Sequence, residues 1–425
     1  MLNKIAQIFK VKDIRSKIFM TLLWLVIFRL LAVIPIPGVN AANLKNFLNS
    51  NQLFGFLNIF SGGSLSRLSV MMLGVGPYIT STIIMQLLTM VFPRFKEMYN
   101  EEGSAGKAKF NRYSRLLMIP LAALQGFTFL KLLQNQGVIT PLSLFEVIAN
   151  VVVIVTGSVI LMWIGEIISE YKIGNGTSLI ILSGIVSGIP KTIQNALASY
   201  DAGLVATYIA FIVLSVVIIA GIVFVNQGER RIAVSYSKRI KGNKMYGGSM
   251  SHLPLKVNQA GVIPIIFAIS IMLFPQFLAQ IASAFFKGGF AVKITDYINA
   301  FFNNQAIYSI AYFFLVVIFT YFYTAITFDS KEIAKNLQRS GAFIPGIRPG
   351  DPSAEFLSRT TKKVTLFGAM FLGIVAILPN VTRAFTGLQI LSIGGTSLLI
   401  VVSVALETMK QLNSQLVARE YEGFE

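Results

Sequence analysis

"FSGGSLSRLSVMMLGVGPYIT" runs from Phe60 to Thr80. Its first half carries Ser61, Gly62, Gly63, Ser64, Ser66, Arg67 and Ser69, and its second half is apolar and holds Gly76-Pro77. Coiled as a helix, residues 61–72 would reach about 18 Å at roughly 1.5 Å per residue. A hydrocarbon core of about 30 Å is out of reach for it. Arg67 and the serines would be costly against acyl chains. Irregular backbone at membrane depth is tolerated only where it is buried in protein or lines a water-filled cavity. Two placements follow. The stretch either dips from the outer side into a cavity inside a helical bundle, with glycines 62, 63, 74 and 76 leaving it free to hinge, or lies flat on the bilayer as an external helix.

The rest of the chain makes the bilayer the relevant solvent. Of 425 residues, 54% are hydrophobic and 13% charged, where soluble domains are nearer a quarter charged. Apolar stretches of about 20 residues recur, each long enough to cross a membrane as a helix. Candidate spans are 18–36, 75–92, 114–134, 145–168, 177–197, 204–225, 260–285, 306–328, 363–379 and 388–409. Ten spans place both termini on one side. Period-two alternation is absent from the spans, against an outer-membrane barrel. The first span is too long for a signal-peptide core and ends in Pro-Ile-Pro, so no cleavable leader is expected.

Basic residues choose the side. Lys4, Lys10, Lys12, Arg15 and Lys17 precede the first span. Arg94, Lys96, Lys107, Lys109, Arg112 and Arg115 lie around the second connection. The long connections 226–258 and 329–362 are also basic, whereas the other face keeps only scattered cations such as Lys45, Lys287, Lys293 and Arg383. Both termini are therefore expected in the cytoplasm. Residues 2–14 put Leu2, Ile5, Ile8 and Phe9 on one helical face, which suits an interfacial helix on an anionic leaflet or a solvated basic arm. Five plus five spans make the second half an inverted copy of the first. The expected organisation is an arm (1–17), an N-terminal half (18–200), a C-terminal half (201–410) and a tail (411–425).

Function classes narrow by exclusion. Cysteine is absent and His252 is the single histidine, so no disulfide, thiolate chemistry, cofactor or metal site is expected. No nucleophile–base motif of a membrane hydrolase appears. Arg29 is the charge well inside a span, near an outer end from which it can snorkel. Glu166 and Glu407 lie near cytoplasmic ends. A bare midplane is unfavourable to an ion-coupled transporter, the rival reading. Gly174-Asn175-Gly176 reads as a short turn between spans. The connection 226–258 alternates charges with Ile, Val and Tyr, reading as hairpin strands around a tip at 241–244. The second long connection contains two Pro-Gly pairs that stiffen the tip bearing Arg348. A net charge of +18, concentrated in such loops, suits an acidic or RNA-bearing partner.

Several motifs closely resemble the SecY family, the channel subunits of the bacterial Sec translocase. They are PIPGV (35–39), GVGPYITSTIIMQLLT (74–89), EYKIGNGTSLII (170–181), HLPLKVNQAGVIPIIFA (252–268), SGAFIPGIRPG (340–350) and GGTSLLIVVSVALE (394–407). The resemblance covers essentially the whole chain. It implies an all-α membrane protein of ten helices, two inverted five-helix halves around a pore, with a short re-entrant plug helix at about 61–72 bearing Ser61, Gly62, Gly63, Ser64, Arg67 and Ser69. It implies a pore ring at Ile79, Ile83, Ile181, Ile185, Ile266 and Ile400, and a lateral gate with Thr89, Gln125 and Ser270. Arg230, Arg231, Arg239, Lys241, Lys244 and Arg348 would dock a motor or ribosome. Where relatives carry paired arginines after the tip glycine, Asn243-Lys244 stand here. The implied function is passage of unfolded secretory chains across, and sideways release of signal helices into, the cytoplasmic membrane. The channel would be passive, without catalytic residues. The implied partners are SecE and SecG, the SecA motor, the ribosome, signal sequences, secretory chains and the lipid bilayer.

Overall fold

A computed structural model describes residues 8–37, 61, 63–100, 102–135, 137, 139–198, 203, 205–236, 239–241, 244–246, 250–285, 293, 297–298, 300–302, 304–386 and 395–422. Leu2 and Ile5 of the arm lie outside them. The chain forms two compact units. One comprises 1–201, 270–303 and 404–425, and the other 202–269 and 304–403.

The first unit holds α1 (Lys12–Leu31), α2 (Gly76–Val91), α3 (Pro93–Asn100), α4 (Gly103–Asn135), α5 (Leu144–Glu170) and α6 (Gly176–Ala198). Local chemistry sets their ends. Pro77 stands in the first turn of α2, where its missing N–H costs nothing. Ser143 caps α5, its Oγ accepting from the Glu146 N–H at 3.3 Å while Glu146 Oε2 accepts from the Ser143 N–H at 2.7 Å, a reciprocal capping box. The turn at 171–175 closes because a Cβ at Gly176 would fall onto the Gly165 carbonyl. The Gly176 N–H donates to Ser169 Oγ at 2.9 Å. Several hydroxyls inside the long helices bond back to their own carbonyls, Thr128 Oγ1 to Leu124 O at 2.7 Å among them, which satisfies them without a second partner.

Of the arm, residues from Ile8 on are described. α1 starts already at Lys12, and Ile8 and Ile14 are buried with Ile173, Leu412 and Leu416. Ile8 thus packs on protein, against the α5–α6 turn and the C-terminal helix, while Phe9 stays exposed.

The second unit contains α7 (Val205–Gln227), β1 (Glu229–Tyr236), β2 (Arg239–Lys241), β3 (Lys244–Tyr246) and β4 (Met250–Lys256). It continues with the start of α8 (Ile263–Phe285), α9 (Gln305–Thr327), α10 (Ser330–Arg339), β5 (Ala342–Phe343), α11 (Asp351–Thr386) and the start of α12 (Gly395–Glu422). α9 and α11 pack closely because Gly373 leaves room for the Phe313 ring. Helices dominate the molecule, as expected, but it is not wholly helical. β4–β1–β5 form an antiparallel sheet and β2–β3 a hairpin.

Five helical stretches are long and apolar enough to cross a membrane among the described residues: 103–134, 144–170, 208–227, 305–339 and 351–382. Three more apolar helices, 76–91, 176–190 and 263–272, are shorter. Exposed side chains fit acyl chains better than water. α7 alone presents Ile209, Ile212, Val213, Val216, Val217 and Phe224, a stripe no soluble monomer would leave bare.

Candidate plug and docking platform

The serine-rich stretch folds as a succession of turns, not as the short helix expected. Among the described residues one 3-10 turn, Leu65–Arg67, is its sole helical element, ended by Leu68 at φ 46. The serines close the turns. Ser61 Oγ accepts from the Leu65 N–H (3.1 Å), Ser64 O from the N–H groups of Arg67 (3.3 Å) and Ser69 (3.1 Å), and Ser69 Oγ from the Met71 N–H (3.2 Å). That is how a chain without regular structure satisfies its backbone where water is scarce. Gly63 at φ +82 and Gly74 at φ +59 supply left-handed bends.

This stretch is anchored in the first unit. The Ile36 N–H donates to Leu68 O (2.8 Å) and the Val70 N–H to Ile34 O (2.9 Å), two rungs tying it to the chain leaving α1. Leu65, Leu68 and Met72 are at most 1% exposed and join Phe129, Leu130 and Leu133 of α4 and Ile154 of α5. Gly157 of α5 admits the Val70 carbonyl, onto which a Cβ would fall. Ser61, Ser64 and Ser69 are buried and Arg67 is exposed. Gly62 lies outside the described residues. Leu65, Leu68, Met71 and Met72 are thus buried in protein, while Arg67 faces outward.

The apolar positions sit in register on their helices. Ile79 and Ile83 are one turn apart on α2, as are Ile181 and Ile185 on α6. Ile266 is in the first turn of α8 and Ile400 in the second of α12, both in the second unit. Ile83, Ile181, Ile266 and Ile400 are buried, and Ile79 and Ile185 partly so. Of the polar gate positions, Thr89 donates to its own helix, to Gln86 O at 2.6 Å. Gln125 and Ser270 are partly buried on α4 and α8.

Arg29 corrects an expectation. It does not snorkel outward. Its Nε donates to Ser183 Oγ at 3.3 Å and its Nη2 to the Ser183 carbonyl, joining α1 to α6 between Ile181 and Ile185. Sequence reading also passed over an amide relay in the second unit. Asn226 Nδ2 donates to Ser403 Oγ (2.6 Å), and Asn258 Nδ2 to Asn226 Oδ1 (2.7 Å) and to Gly261 O (3.1 Å). It ties the end of α7, the link into α8 and α12. Asn258 lies within the motif at 252–268, but nothing local in that polar Lys-Val-Asn-Gln run marks it as a bridge between elements.

The two long basic connections form one platform. β1 pairs with β4 (Arg230↔Leu255, Ile232↔Leu253), and its far end pairs with β5 (Ser235↔Phe343). Beneath, Ile232, Leu255, Ile344 and Leu357 share a core. Arg230 and Arg231 are exposed, and Arg231 Nε pairs with Glu229 Oε1 at 2.7 Å. Arg348 is exposed on a tip between Gly346 (φ +81) and Gly350 (φ +97), its carbonyl accepting from Ser353 Oγ at 2.8 Å. β2–β3 aligns Lys241 with Lys244 across the hairpin tip; the side chains of Arg239, Lys241 and Lys244 lie outside the described residues. No group of three or more metal-type ligands occurs among the described residues.

Known proteins give a consistent comparison. The SecY family model matches residues 69–409. Relatives called protein translocase subunit SecY are 41% identical over 447 residues in Mycobacterium tuberculosis (strain ATCC 25618 / H37Rv) and 40% over 442 residues in Streptomyces galbus, covering 100% of both chains each time. Among solved structures, a protein-conducting channel superposes with a TM-score of 0.65 at 23% identity, covering 94% of this chain and 91% of that one. A SecY channel described for its plug domain gives 0.62 at 22%, covering 93% and 91%. At these identities the superpositions speak to the fold.

Proposed function

Because the chain belongs to the SecY family, we propose that it is the protein-conducting channel of a bacterial cytoplasmic membrane, kept shut by residues 61–72. The protein is a multi-pass membrane protein of the translocase class. Burial of Leu65, Leu68 and Met72 inside the first unit carries the reading. A bilayer-exposed loop of this composition would be unstable, and a surface helix would leave those side chains bare. Ten spans with both termini in the cytoplasm remain the arrangement we propose, on the asymmetry of Lys and Arg between the two faces.

The finer roles follow as parts of the same proposal. Ile79, Ile83, Ile181, Ile185, Ile266 and Ile400 form the constriction. A narrow apolar ring dewets when empty and yields to a passing chain without sorting its charges. Arg29 holds α6 in register so that Ile181 and Ile185 face one way. Thr89, Gln125 and Ser270 line the sideways exit. Interhelical polar contacts of about 1 kcal/mol are weak enough for a signal helix to displace.

The channel performs no covalent step of its own and takes its driving force from cytoplasmic partners that spend ATP or GTP. Arg230, Arg231, Arg239, Lys241, Lys244 and Arg348 receive the motor SecA or a ribosome in turn, with SecE and SecG as small membrane subunits alongside. A structural neighbour described as Sec61 in the canine ribosome–channel complex (TM-score 0.59) makes a ribosome a reasonable occupant of this platform.

Deletion of residues 61–72 tests the central point. Reconstituted vesicles carrying the deletion should leak small ions at rest, while the protein still inserts and passes secretory chains. Resting conductance equal to that of the parent protein would remove the plug from the account.

A further inference from the structure

A cavity of about 1030 Å³ opens in the second unit where α9, the start of α10 and α11 meet. Apolar side chains line it, Phe322 and Phe328 partly buried and Ile318 and Ala325 exposed. Its rim carries both signs of charge, Lys331 and Lys362 against Asp351 and Glu355, all exposed. Among the described residues Lys331, Lys362 and Asp351 form no ion pair, while Glu355 meets Arg359 at 3.0 Å. Thr361 also lines the cavity, and this is the telling residue. It is 6% exposed, and its Oγ1 has no hydrogen-bond partner among the described residues. A buried hydroxyl left unsatisfied costs stability unless something completes it. Thr324, which also lines the cavity, instead bonds to the Thr320 carbonyl at 2.7 Å.

We propose that this cavity binds the headgroup and glycerol region of an aminophospholipid of the cytoplasmic leaflet. The lysines take the phosphate, Asp351 and Glu355 take the primary ammonium, and the Thr361 hydroxyl donates to an ester carbonyl. Both flanking helices continue away from the cavity with exposed apolar faces, Ile310 and Phe314 on α9 and Phe367 and Ile374 on α11, where acyl chains would lie. Mixed charge at the rim decides the class. A net-anionic headgroup would meet carboxylates as well as lysines, and a choline cannot donate hydrogen bonds to them. The leaflet assignment rests on the cytoplasmic placement of residues 329–362 proposed above.

The full chain in nanodiscs containing equal parts phosphatidylethanolamine, phosphatidylcholine and phosphatidylglycerol is released for native mass spectrometry, and retained lipids are counted. Phosphatidylethanolamine should be retained preferentially, each partly exposed ion pair contributing up to about fivefold. Asp351→Asn with Glu355→Gln should bring it down to the phosphatidylcholine level. Lys331→Gln with Lys362→Gln should lower all three, and Thr361→Val should lower retention without reordering them. Equal retention of phosphatidylglycerol and phosphatidylethanolamine would overturn the proposal in favour of simple attraction to anionic lipid. Loss of all retained lipid when helical partner subunits are co-purified would assign the cavity to a protein helix instead. A photoactivatable phosphatidylethanolamine, mapped by peptide on the unaltered protein, keeps the test independent of variant folding; labels confined to peptides outside 305–331 and 351–365 would also overturn it. Neither measurement involves translocation, so a failure here leaves the channel reading standing, and a failure of that reading leaves lipid retention readable.

Discussion

Gly157 is defined by what it leaves out. Its missing Cβ lets the Val70 carbonyl lie against α5, and so sets how deeply the serine-rich stretch seats. Gly157→Ala forces one of the two backbones to move, and such overpacking typically costs about 1–3 kcal/mol. The expected outcome is a raised resting ion conductance in vesicles and a lowered melting temperature. Gly188→Ala on α6, where a Cβ meets nothing within 4 Å, serves as the control and should leave conductance unchanged. Parental conductance in Gly157→Ala would mean that the seat does not depend on this contact. Arg29 makes the complementary point about legibility. Its depth in a span could be read from the sequence, but not its direction, because snorkelling and a bond to Ser183 need the same long side chain.

Elements were legible to the extent that their signals are local. The hairpin in 226–258 followed from alternating charge and β-branched residues, and the α5–α6 turn from Gly174-Asn175-Gly176. The pairing of β1 with β5 was hidden, because two residues, Ala342 and Phe343, carry no strand pattern and their partner is remote in the chain. The turns of the serine-rich stretch were hidden for a related reason. A serine-rich run of this length is as compatible with a short helix as with tight turns, and its serines favour the turns. Pairing through β5 gives the Arg348 tip a rigid base, since Ile344 and Ile347 beside it belong to the shared core. Arg348→Glu should therefore cut motor-driven export several-fold in inverted vesicles and leave channel assembly and stability at parental levels. Export at the parental rate would exclude this tip from motor coupling.

At the scale of the whole molecule, family membership was the most legible property, because six motifs spaced from the first span to the last are hard to reproduce by chance. Grouping of 270–303 and 404–425 with the first unit was not, since both segments follow long after it in the chain. The tail closes on the beginning. Arg419 Nη2 donates to Asp13 Oδ2 at 2.8 Å, and Lys17 Nζ pairs with the same oxygen at 3.2 Å. The hydrogen bond from Lys17, then that from Arg419, holds the Asp13 carboxyl below its ordinary value. A carboxyl whose folded value is depressed contributes above the unfolded value and loses that contribution as pH falls through the folded one. Hydrogen-exchange protection of residues 412–419 should therefore stay constant from neutral pH down to about pH 4 and decline below it, and Asp13→Asn should flatten the profile. A decline that begins above pH 6 would point to another group.

The serine-rich stretch has one more consequence. Nearly all its turns are fastened within itself, Leu65 to Ser61, Ser69 to Ser64, Met72 to Ser69, Gly74 to Met71, whereas two backbone rungs, at Ile36 and Val70, fasten it to the chain leaving α1. Displacing it need not unravel it. If, as proposed, it stoppers the channel, it would travel as a preformed bead on a tether and drop back into its seat ready-made, resealing as quickly as a short loop can diffuse home.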